Sequence, residues 1–323
     1  MELRRLGRTG LHVSALGLGT MTWGRDTDAQ DAAQQLRDFR LAGGTFLDTA
    51  GSYGDGASEE ILGGLLGSVV DRDEVVVATK GGLRRTPSGM VVDSSRGALL
   101  ASIDASLERL GTDHVDLFLV QAPDPHTPVE ETVSALRHMV TTGRARYVGL
   151  ANHAGWHTGY AAAALRVGGE AELAALEVEH SLLNRDCELD LVAATQALGV
   201  GLLTWSALGR GVLTGKYRRT LPADSRGASS HMSGFVEPYL DARGSAIVDA
   251  VCTAAAGLGR APLEVALSWV LGRSYVSSAI VGARTPGQLR ESLGALDLTL
   301  PGAVSSALDE VSDPSSDFAD SYA

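Results

Sequence analysis

The chain has 323 residues and a formal charge of −12, with 39 Asp and Glu against 27 Lys and Arg, and this acidic balance argues against a nucleic-acid partner, which would need a strongly basic face. Its two cysteines, Cys187 and Cys252, are too few and too far apart to indicate a disulfide framework or a zinc site. No stretch reaches the roughly 20 apolar residues of a membrane span and the N-terminus lacks a secretion signal, so we expect no membrane partner and a cytoplasmic location.

Residues 3–13 alternate around a glycine-containing turn, which predicts a small hairpin that plugs one end of the fold. After it the chain repeats one unit, in which a short run of Val, Leu and Ile is followed by a polar loop and an amphipathic segment. Strands are predicted at 15–18, 45–47, 75–79, 115–120, 145–150, 175–178, 201–204 and 278–281. Helices are predicted at 28–42, 58–66, 95–110, 129–142, 155–166, 189–198, 245–258, 263–270 and 286–293.

Eight strand–helix units without a change in alternation predict an α/β protein, specifically a (β/α)8 TIM barrel that forms a single domain over residues 1–323. The connection 208–243 after the seventh predicted strand is long and rich in Gly, Arg and Ser, and we expect it to be an ordered active-site loop. The acidic tail from Asp313 is expected to be loosely held.

The functional side chains of such a barrel lie at the C-terminal ends of its strands. Asp48 and Tyr53 follow the second predicted strand, and Lys80 ends the third. An ammonium beside a phenol favours the phenolate and so eases release of its proton, while a carboxylate would keep that ammonium charged and aimed. The trio therefore suits proton transfer to a carbonyl oxygen, although each residue alone is compatible with a purely structural position.

With these residues in view, the chain resembles the aldo-keto reductase superfamily over nearly its whole length. The resemblance is carried by Gly17-Leu18-Gly19-Thr20-Met21-Thr22-Trp23-Gly24, Phe46-Leu47-Asp48-Thr49-Ala50 with Tyr53-Gly54, Ala78-Thr79-Lys80, Asp116-Leu117-Phe118 with Pro123-Asp124-Pro125, Gly143-Arg144-Ala145-Arg146-Tyr147-Val148-Gly149-Leu150, Leu213-Thr214-Gly215-Lys216-Tyr217 and Val281-Gly282-Ala283-Arg284-Thr285. It implies NADPH (or NADP+ in reverse) as the cofactor and a small-molecule carbonyl as the substrate. It also implies that Asp48, Tyr53 and Lys80 are three members of the catalytic tetrad, with Tyr53 as the proton donor.

The fourth position of the tetrad departs from the family pattern, because Gln121 stands where a histidine is common. A glutamine amide donates a hydrogen bond to a substrate oxygen but cannot change its protonation state near neutral pH. We expect Gln121 to orient the substrate; the alternative is that it only fills space and the chemistry is lost. Ala151, Asn152 and Glu177 likewise stand where the family often has Ser, Asn and Gln at the nicotinamide carboxamide, and the hydroxyl missing at position 151 removes a hydrogen bond worth about 0.5–1.5 kcal/mol.

The resemblance also implies the remaining ligand contacts. Trp205 takes the position of the ring that stacks on the nicotinamide, and Arg284 lies at a strand exit that opens a helix, where it suits the 2′-phosphate of NADPH. The other cofactor contacts implied are Gly19, Thr20, Met21, Asp48, Ser206, Leu208, Arg210, Lys216, Gly282, Gln288, Glu291 and Ser292, and those to the substrate are Trp23, Tyr53, Gln121 and His153. For Arg210 and Lys216 a solvated loop position is an equal alternative. No metal site is expected, since the His and acidic pairs lack a third ligand.

Three functional hypotheses follow. The first is an NADPH-dependent reductase of aldehydes or ketones. The second is a reductase of enones or keto-sugars whose chemistry is altered by Gln121. The third, motivated by the replacements at positions 121, 151 and 177, is a slow-turnover nicotinamide-binding sensor or regulatory subunit, and it ranks below catalysis because Asp48, Tyr53 and Lys80 are all present.

Overall fold

Eight parallel strands close into a barrel in the computed structural model, which describes residues 1–87, 89–169, 171–218, 220–222, 225–228 and 233–314. The strands in chain order are β1 (Leu3–Arg5), β2 (His12–Ser14), β3 (Leu16–Gly19), β4 (Phe46–Asp48), β5 (Val76–Gly81), β6 (Leu83–Thr86), β7 (Gly89–Val92), β8 (Val115–Val120), β9 (Ala145–Ala151), β10 (Leu173–Glu179), β11 (Gly201–Trp205) and β12 (Val276–Gly282). The barrel consists of β3, β4, β5, β8, β9, β10, β11 and β12, and β12 pairs with β3 to close it. The predicted (β/α)8 barrel is therefore confirmed.

The barrel interior is packed with side chains rather than open. Its core contains Leu6, Val13, Phe46, Ala78, Leu117, Leu119, Ala174, Ala175, Leu203 and Ile280. Gly17 is required here, because a Cβ at that position would come within 2.6 Å of the Phe46 ring. A second, larger core lies between the strands and the surrounding helices, so the strands are covered on both faces and read as continuous apolar runs.

The N-terminal hairpin plugs the bottom of the barrel, as its sequence predicts. β1 and β2 pair antiparallel with Arg5 opposite His12, and the fully buried Leu6 enters the interior core. The turn packs on the start of β11, where the Arg8 amide donates to the Gly199 carbonyl at 2.8 Å. Gly7, at φ +57, approaches the same backbone so closely that a Cβ would lie 2.4 Å from the Gly199 oxygen, which only glycine permits.

The helices alternate with the barrel strands. They are α1 (Ala29–Leu41), α2 (Ala57–Leu65), α3 (Arg96–Leu110), α4 (Val129–Thr141), α5 (Gly155–Gly168), α6 (Leu191–Leu198), α7 (Ser233–Val236), α8 (Ala242–Leu258), α9 (Pro262–Leu271), α10 (Pro286–Leu293) and α11 (Gly302–Val311). Capping residues set their ends: the Ser95 hydroxyl accepts from the Ala98 amide at the start of α3, and Gly111 ends that helix at φ +63.

Two features differ from the sequence prediction. The β6–β7 hairpin and helix α11 were not predicted. The hairpin strands contain no buried residue, and Leu308 is the only buried residue of α11, so both segments lack a run of buried apolar side chains. The connection after β11 is folded where it is described, with an irregular turn at Gly209–Thr214 and a short helical turn at Glu237–Tyr239 in addition to α7. Its residues 219, 223–224 and 229–232, and residues 315–323 of the predicted tail, lie outside the described part of the chain.

Among the described helices, no single one has the length and apolar character needed to cross a membrane. Only α8 and α9, taken together, have this length and apolar character, and that pair is bent by 100°.

Candidate active site

Three ionisable side chains converge at the C-terminal mouth of the barrel, and we call them the acid–base cluster: Asp48 of β4, Lys80 of β5 and Glu177 of β10. The Lys80 ammonium forms an ion pair with Asp48 Oδ1, donates to the Thr49 carbonyl at 3.2 Å, and lies 3.4 Å from Glu177 Oε1. The three side chains are at most 3% exposed. One ammonium therefore lies close to two carboxyl groups in a site that is almost fully buried.

Burial and mutual charge shift all three pKa values. Burial raises the pKa of Asp48, although Lys80 opposes the shift. Burial alone would lower the pKa of Lys80, but Asp48 and Glu177 outweigh it and the pKa is raised. For Glu177, burial and then the Asp48 charge raise the pKa to about 8. These shifts favour a proton on one of the two carboxyl groups, while Lys80 balances the negative charge of the other.

Tyr53 lies beside this cluster in the turn Tyr53–Gly56, which follows β4. The Lys80 ammonium is 5.3 Å from the centroid of its ring. Burial raises the pKa of the Tyr53 phenol and Lys80 offsets this only in part, while Asp48 and Glu177 add to the rise. The prediction that Lys80 makes this phenol unusually acidic is therefore wrong for the site as folded, because desolvation outweighs the single positive charge. The phenol keeps its proton, which is the state that a proton donor requires.

Gln121 is held by a chain of hydrogen bonds that joins the ends of four strands, β4, β8, β9 and β11. The Ser52 hydroxyl donates to Gln121 Oε1 at 2.9 Å, and Asn152 Nδ2 donates to the Gln121 backbone carbonyl at 3.1 Å. The Trp205 indole donates in turn to Asn152 Oδ1 at 3.0 Å. With its oxygen engaged, Gln121 keeps its NH2 group as a hydrogen-bond donor. Sequence reasoning missed Ser52, whose only signal is its place next to Tyr53.

Strained backbone marks the strand exits at this mouth. Asn152, Ser206 and Arg210 have φ values of +62°, +61° and +58°, in the left-handed region that non-glycine residues seldom occupy. Asp55, in the turn after Tyr53, has φ +55°. Such conformations are concentrated at functional sites, where the surrounding contacts hold them in place.

Arg210, which the resemblance implies as a cofactor contact, is bonded within the protein. It makes two hydrogen bonds to the Glu179 carboxylate, at 2.8 and 2.5 Å, and one to the Phe235 carbonyl at 2.6 Å. Its guanidinium lies 4.0 Å from the Phe235 ring centroid, and the Tyr239 hydroxyl donates to Glu179 at 2.9 Å. Arg210 is therefore not a solvated loop residue, and its charge is already compensated by Glu179. The contacts among Arg210, Glu179, Phe235 and Tyr239 hold the connection after β11 against β10, next to Trp205.

Two predicted substrate contacts are instead packed into the protein. The Trp23 side chain is fully buried and its indole donates to Gln35 Oε1 at 3.0 Å, because the loop after β3 folds back onto α1. His153 is 3% exposed and its Nδ1 lies 2.7 Å from the Ala151 carbonyl oxygen. Burial lowers the pKa of His153 to about 4, so the ring is neutral. We therefore remove Trp23 and His153 from the set of residues that could contact a substrate.

The predicted cofactor contacts divide into buried and accessible groups. Gly19, Thr20, Ala151 and Ser292 are buried, and the hydroxyls of Thr20 and Ser292 donate to the carbonyls of Asp48 and Gln288 at 3.1 and 3.0 Å. The residues whose side chain or backbone reaches the surface at this mouth are Met21, Asn152, Trp205, Ser206, Leu208, Lys216, Gly282, Arg284, Gln288 and Glu291.

Arg284 lies between β12 and α10, where the Gln288 side chain accepts from the Arg284 amide at 2.9 Å and the Thr285 hydroxyl caps the helix. Lys216 Nζ lies 5.2 Å from the Tyr217 ring centroid. Among the described residues, no group of three or more His, Cys, Asp or Glu side chains is placed to hold a metal ion.

A closed parallel barrel with an acid–base cluster at the C-terminal ends of its strands has the architecture of a TIM-barrel enzyme. The profile of the Aldo/keto reductase family matches residues 15–313, and the chain belongs to this family. It is an oxidoreductase of a family that acts on small carbonyl compounds and generally uses nicotinamide cofactors.

Relatives of the chain carry several different names. It is 31% identical over 320 residues to the uncharacterized oxidoreductase YrpG of Bacillus subtilis, covering 96% of each chain. It is 34% identical over 308 residues to a probable voltage-gated potassium channel subunit beta of Oryza sativa, covering 92% of each. It is also 34% identical over 305 residues to the L-glyceraldehyde 3-phosphate reductase of Escherichia coli K12, covering 92% of this chain and 88% of that one.

Proposed function

We propose that this protein is an NADPH-dependent reductase of aldehydes or ketones, with Tyr53 as the proton donor to the carbonyl oxygen. The observation that carries the proposal is the position of the Tyr53 phenol beside a buried ammonium, with Lys80 Nζ 5.3 Å from the centroid of its ring. A bound reduced nicotinamide would supply the hydride. The chain itself must then bind the carbonyl, deliver one proton and stabilise the phenolate left behind.

Each residue of the mouth has a part in that task. As the carbonyl oxygen gains negative charge it takes the Tyr53 proton, and the resulting phenolate is stabilised by the Lys80 ammonium. Asp48 keeps Lys80 charged and in position, since their ion pair is buried. The Gln121 NH2 group donates a hydrogen bond to the same carbonyl oxygen, and Ser52 fixes its orientation. Gln121 polarises and orients but supplies no proton.

The residues present fit a nicotinamide dinucleotide. Glu177 Oε2 is buried and has no hydrogen-bond partner among the described residues, which suits a carboxamide NH2 group. Trp205 offers an aromatic face at the neighbouring strand end, and Arg284 at the start of α10 suits a 2′-phosphate. The proposed cofactor contacts are therefore Met21, Asn152, Glu177, Trp205, Ser206, Leu208, Lys216, Gly282, Arg284, Gln288 and Glu291.

The test is the Tyr53→Phe variant, assayed for NADPH oxidation with a panel of aldehydes and ketones. We include L-glyceraldehyde 3-phosphate, which the name of the Escherichia coli relative suggests. Loss of the proton donor should lower turnover by about 10²–10⁴-fold, while NADPH affinity measured by fluorescence stays unchanged. Tyr147→Phe is the matched control, because this hydroxyl lies near Gly10 at the opposite end of the barrel. Unchanged turnover in Tyr53→Phe would refute the assignment.

Gln121 favours a second candidate, the reduction of a conjugated double bond or of a keto-sugar. A site that polarises a carbonyl through a neutral amide can also direct hydride to another carbon of the conjugated system. Product analysis with an enone separates the candidates, because the two reactions saturate different bonds. Tight NADPH binding without turnover on the whole panel would instead favour the regulatory hypothesis.

A further inference from the structure

The two carboxyl oxygens of Glu177 have different surroundings. Oε1 lies 3.4 Å from the Lys80 ammonium, whereas Oε2 is buried and accepts no hydrogen bond from a donor within the described part of the chain. The Asp48 carboxyl lies within hydrogen-bonding reach of the Glu177 carboxyl, a contact that requires a proton on one of the two. The side chain as a whole is 3% exposed. An ionised carboxylate with one oxygen buried and unpaired is strongly disfavoured, while a neutral carboxylic acid tolerates the same position far better.

The charges around Glu177 point to the same protonation state. Lys80 is the cation that attracts the Glu177 carboxyl group, but its ammonium lies closer to Asp48 than to Glu177. The residues in register on β9 and β11, Ala151 and Leu203, carry no charge. Two residues further along β10, Glu179 is paired with Arg210.

Among the described residues, one positive charge thus faces two carboxyl groups and a neutral phenol, which favours a proton on one of the carboxyl groups. Asp48 has the ion pair and Glu177 therefore has the proton, in keeping with a pKa of Glu177 that burial and Asp48 raise to about 8.

We propose that Glu177 is a carboxylic acid in the ligand-free protein, and that its ionisation gives the nicotinamide site a preference for the oxidised cofactor that strengthens as pH rises. This inference rests on the proposed function. A carboxylic acid has nearly the shape of a glutamine amide, so the protonated form can serve the carboxamide without adding charge. The ionised form places a negative charge beside a ring that is positive when oxidised and neutral when reduced.

The sign follows from linkage. Because only the oxidised ring favours ionised Glu177, its affinity relative to that of the reduced ring should rise as the pH passes through the pKa of Glu177. Binding of NADP+ at neutral pH should correspondingly release a proton that binding of NADPH does not release.

The first experiment measures dissociation constants for NADP+ and NADPH by isothermal titration calorimetry at about pH 6.5 and about pH 9. In the wild-type protein the ratio of the two constants should move toward NADP+ by about tenfold or more between these pH values. In Glu177→Gln the ratio should stay constant. Glu172→Gln is the matched control, because it removes the same formal charge from an exposed side chain just before the start of β10, and it should behave as the wild type does.

The second experiment observes the titration without any cofactor. Lys80 and Lys216 are the only lysines in the chain, so protein labelled with 13C in its lysine side chains gives NMR signals from two residues, which Lys216→Met assigns. The Lys80 signal should shift as the pH crosses about 8 and should not shift there in Glu177→Gln. A Lys80 signal that is constant through this range in the wild type would overturn the inference.

The outcomes separate the inference from the proposed function. Binding of both cofactors with a ratio that does not change with pH, or that changes equally in Glu177→Gln, overturns the inference and leaves the reductase proposal intact. Failure to bind either cofactor overturns the reductase proposal and the redox preference together, while the NMR titration still decides whether Glu177 holds the proton.

Discussion

Replacing Lys80 by Met should destabilise the protein in a way that depends on pH. Methionine keeps most of the side-chain volume but removes the cation shared by Asp48 and Glu177. The wild-type cluster already carries one proton, so the variant must either bury an unpaired carboxylate or bind a second proton. Binding that proton costs about 1.4 kcal/mol for each pH unit above the ordinary Asp pKa of 3.8, which is about 4 kcal/mol at pH 7 and about 2 kcal/mol at pH 5.

This magnitude agrees with the loss of about 3–5 kcal/mol that is typical when one partner of a buried ion pair is removed. The direction of the pH dependence follows because the pKa of the carboxyl group is higher in the folded variant than in the unfolded chain. The stability of the variant is then highest at low pH and falls as pH rises through the carboxyl range.

The assay is equilibrium unfolding in guanidinium chloride at about pH 5 and about pH 7, followed by tryptophan fluorescence and far-UV circular dichroism. The double variant Asp48→Asn, Lys80→Met should recover most of the loss and its pH dependence, because no unpaired carboxylate remains. Lys216→Met, at an exposed position, should stay within about 0.5 kcal/mol of the wild type. If Lys80→Met unfolds at the wild-type denaturant concentration, or loses the same free energy at both pH values, our account of the cluster is wrong.

Three further predictions concern the cofactor, the substrate and the fold. Arg284→Ala should weaken NADPH binding by about tenfold or more and leave NADH binding unchanged, since charge-assisted hydrogen bonds contribute about 1.5–3 kcal/mol; fluorescence titration with both dinucleotides measures this. Ser52→Ala should lower kcat up to about tenfold without changing NADPH affinity, because the Gln121 amide loses the hydrogen bond that orients it, and Ser52→Thr should restore the rate. Leu6→Ala should lower the free energy of unfolding by about 2–5 kcal/mol, whereas Leu41→Ala should have little effect, because these side chains are 0% and 86% exposed.

The contrary outcomes are distinct. Equal losses for NADH and NADPH in Arg284→Ala would mean that the side chain does not bind the 2′-phosphate. A Ser52→Ala enzyme with the wild-type kcat would show that the orientation of Gln121 is set by other contacts. Wild-type stability in Leu6→Ala would show that the hairpin plug does not contribute to the core.

The choice of lysine at the centre of the site has a physical basis. The chain uses arginine for its cations almost throughout, and Lys216 is the only other lysine. The single nitrogen of the Lys80 ammonium contacts Asp48, the Thr49 carbonyl and Glu177. A compact ammonium can satisfy three acceptors that surround one atom, whereas the planar fork of a guanidinium suits a carboxylate approached from one side. The pair of Arg210 with Glu179 has that second geometry.

The sequence by itself determined the architecture and the origin of the site. Local signals carry this information: apolar runs such as Val115–Val120 form buried strands, and capping residues such as Ser95 and Gly111 bound the helices between them. Once eight such units are recognised, the closure of the barrel brings all strand exits to one face, so Asp48, Lys80 and Glu177 could be assigned to the same face from the sequence. The identity of Gln121 could also be read directly as a loss of acid–base function.

Only the tertiary structure decided how these groups interact. Burial and side-chain direction depend on residues far apart in the chain, and no local pattern reports them. Trp23 and His153 follow barrel strands at the mouth, yet both side chains are buried in the protein. Ser52 reaches Gln121 across 69 positions of sequence. The pKa of Tyr53 is raised rather than lowered because desolvation, which is a property of the whole folded site, exceeds the attraction of one nearby ammonium.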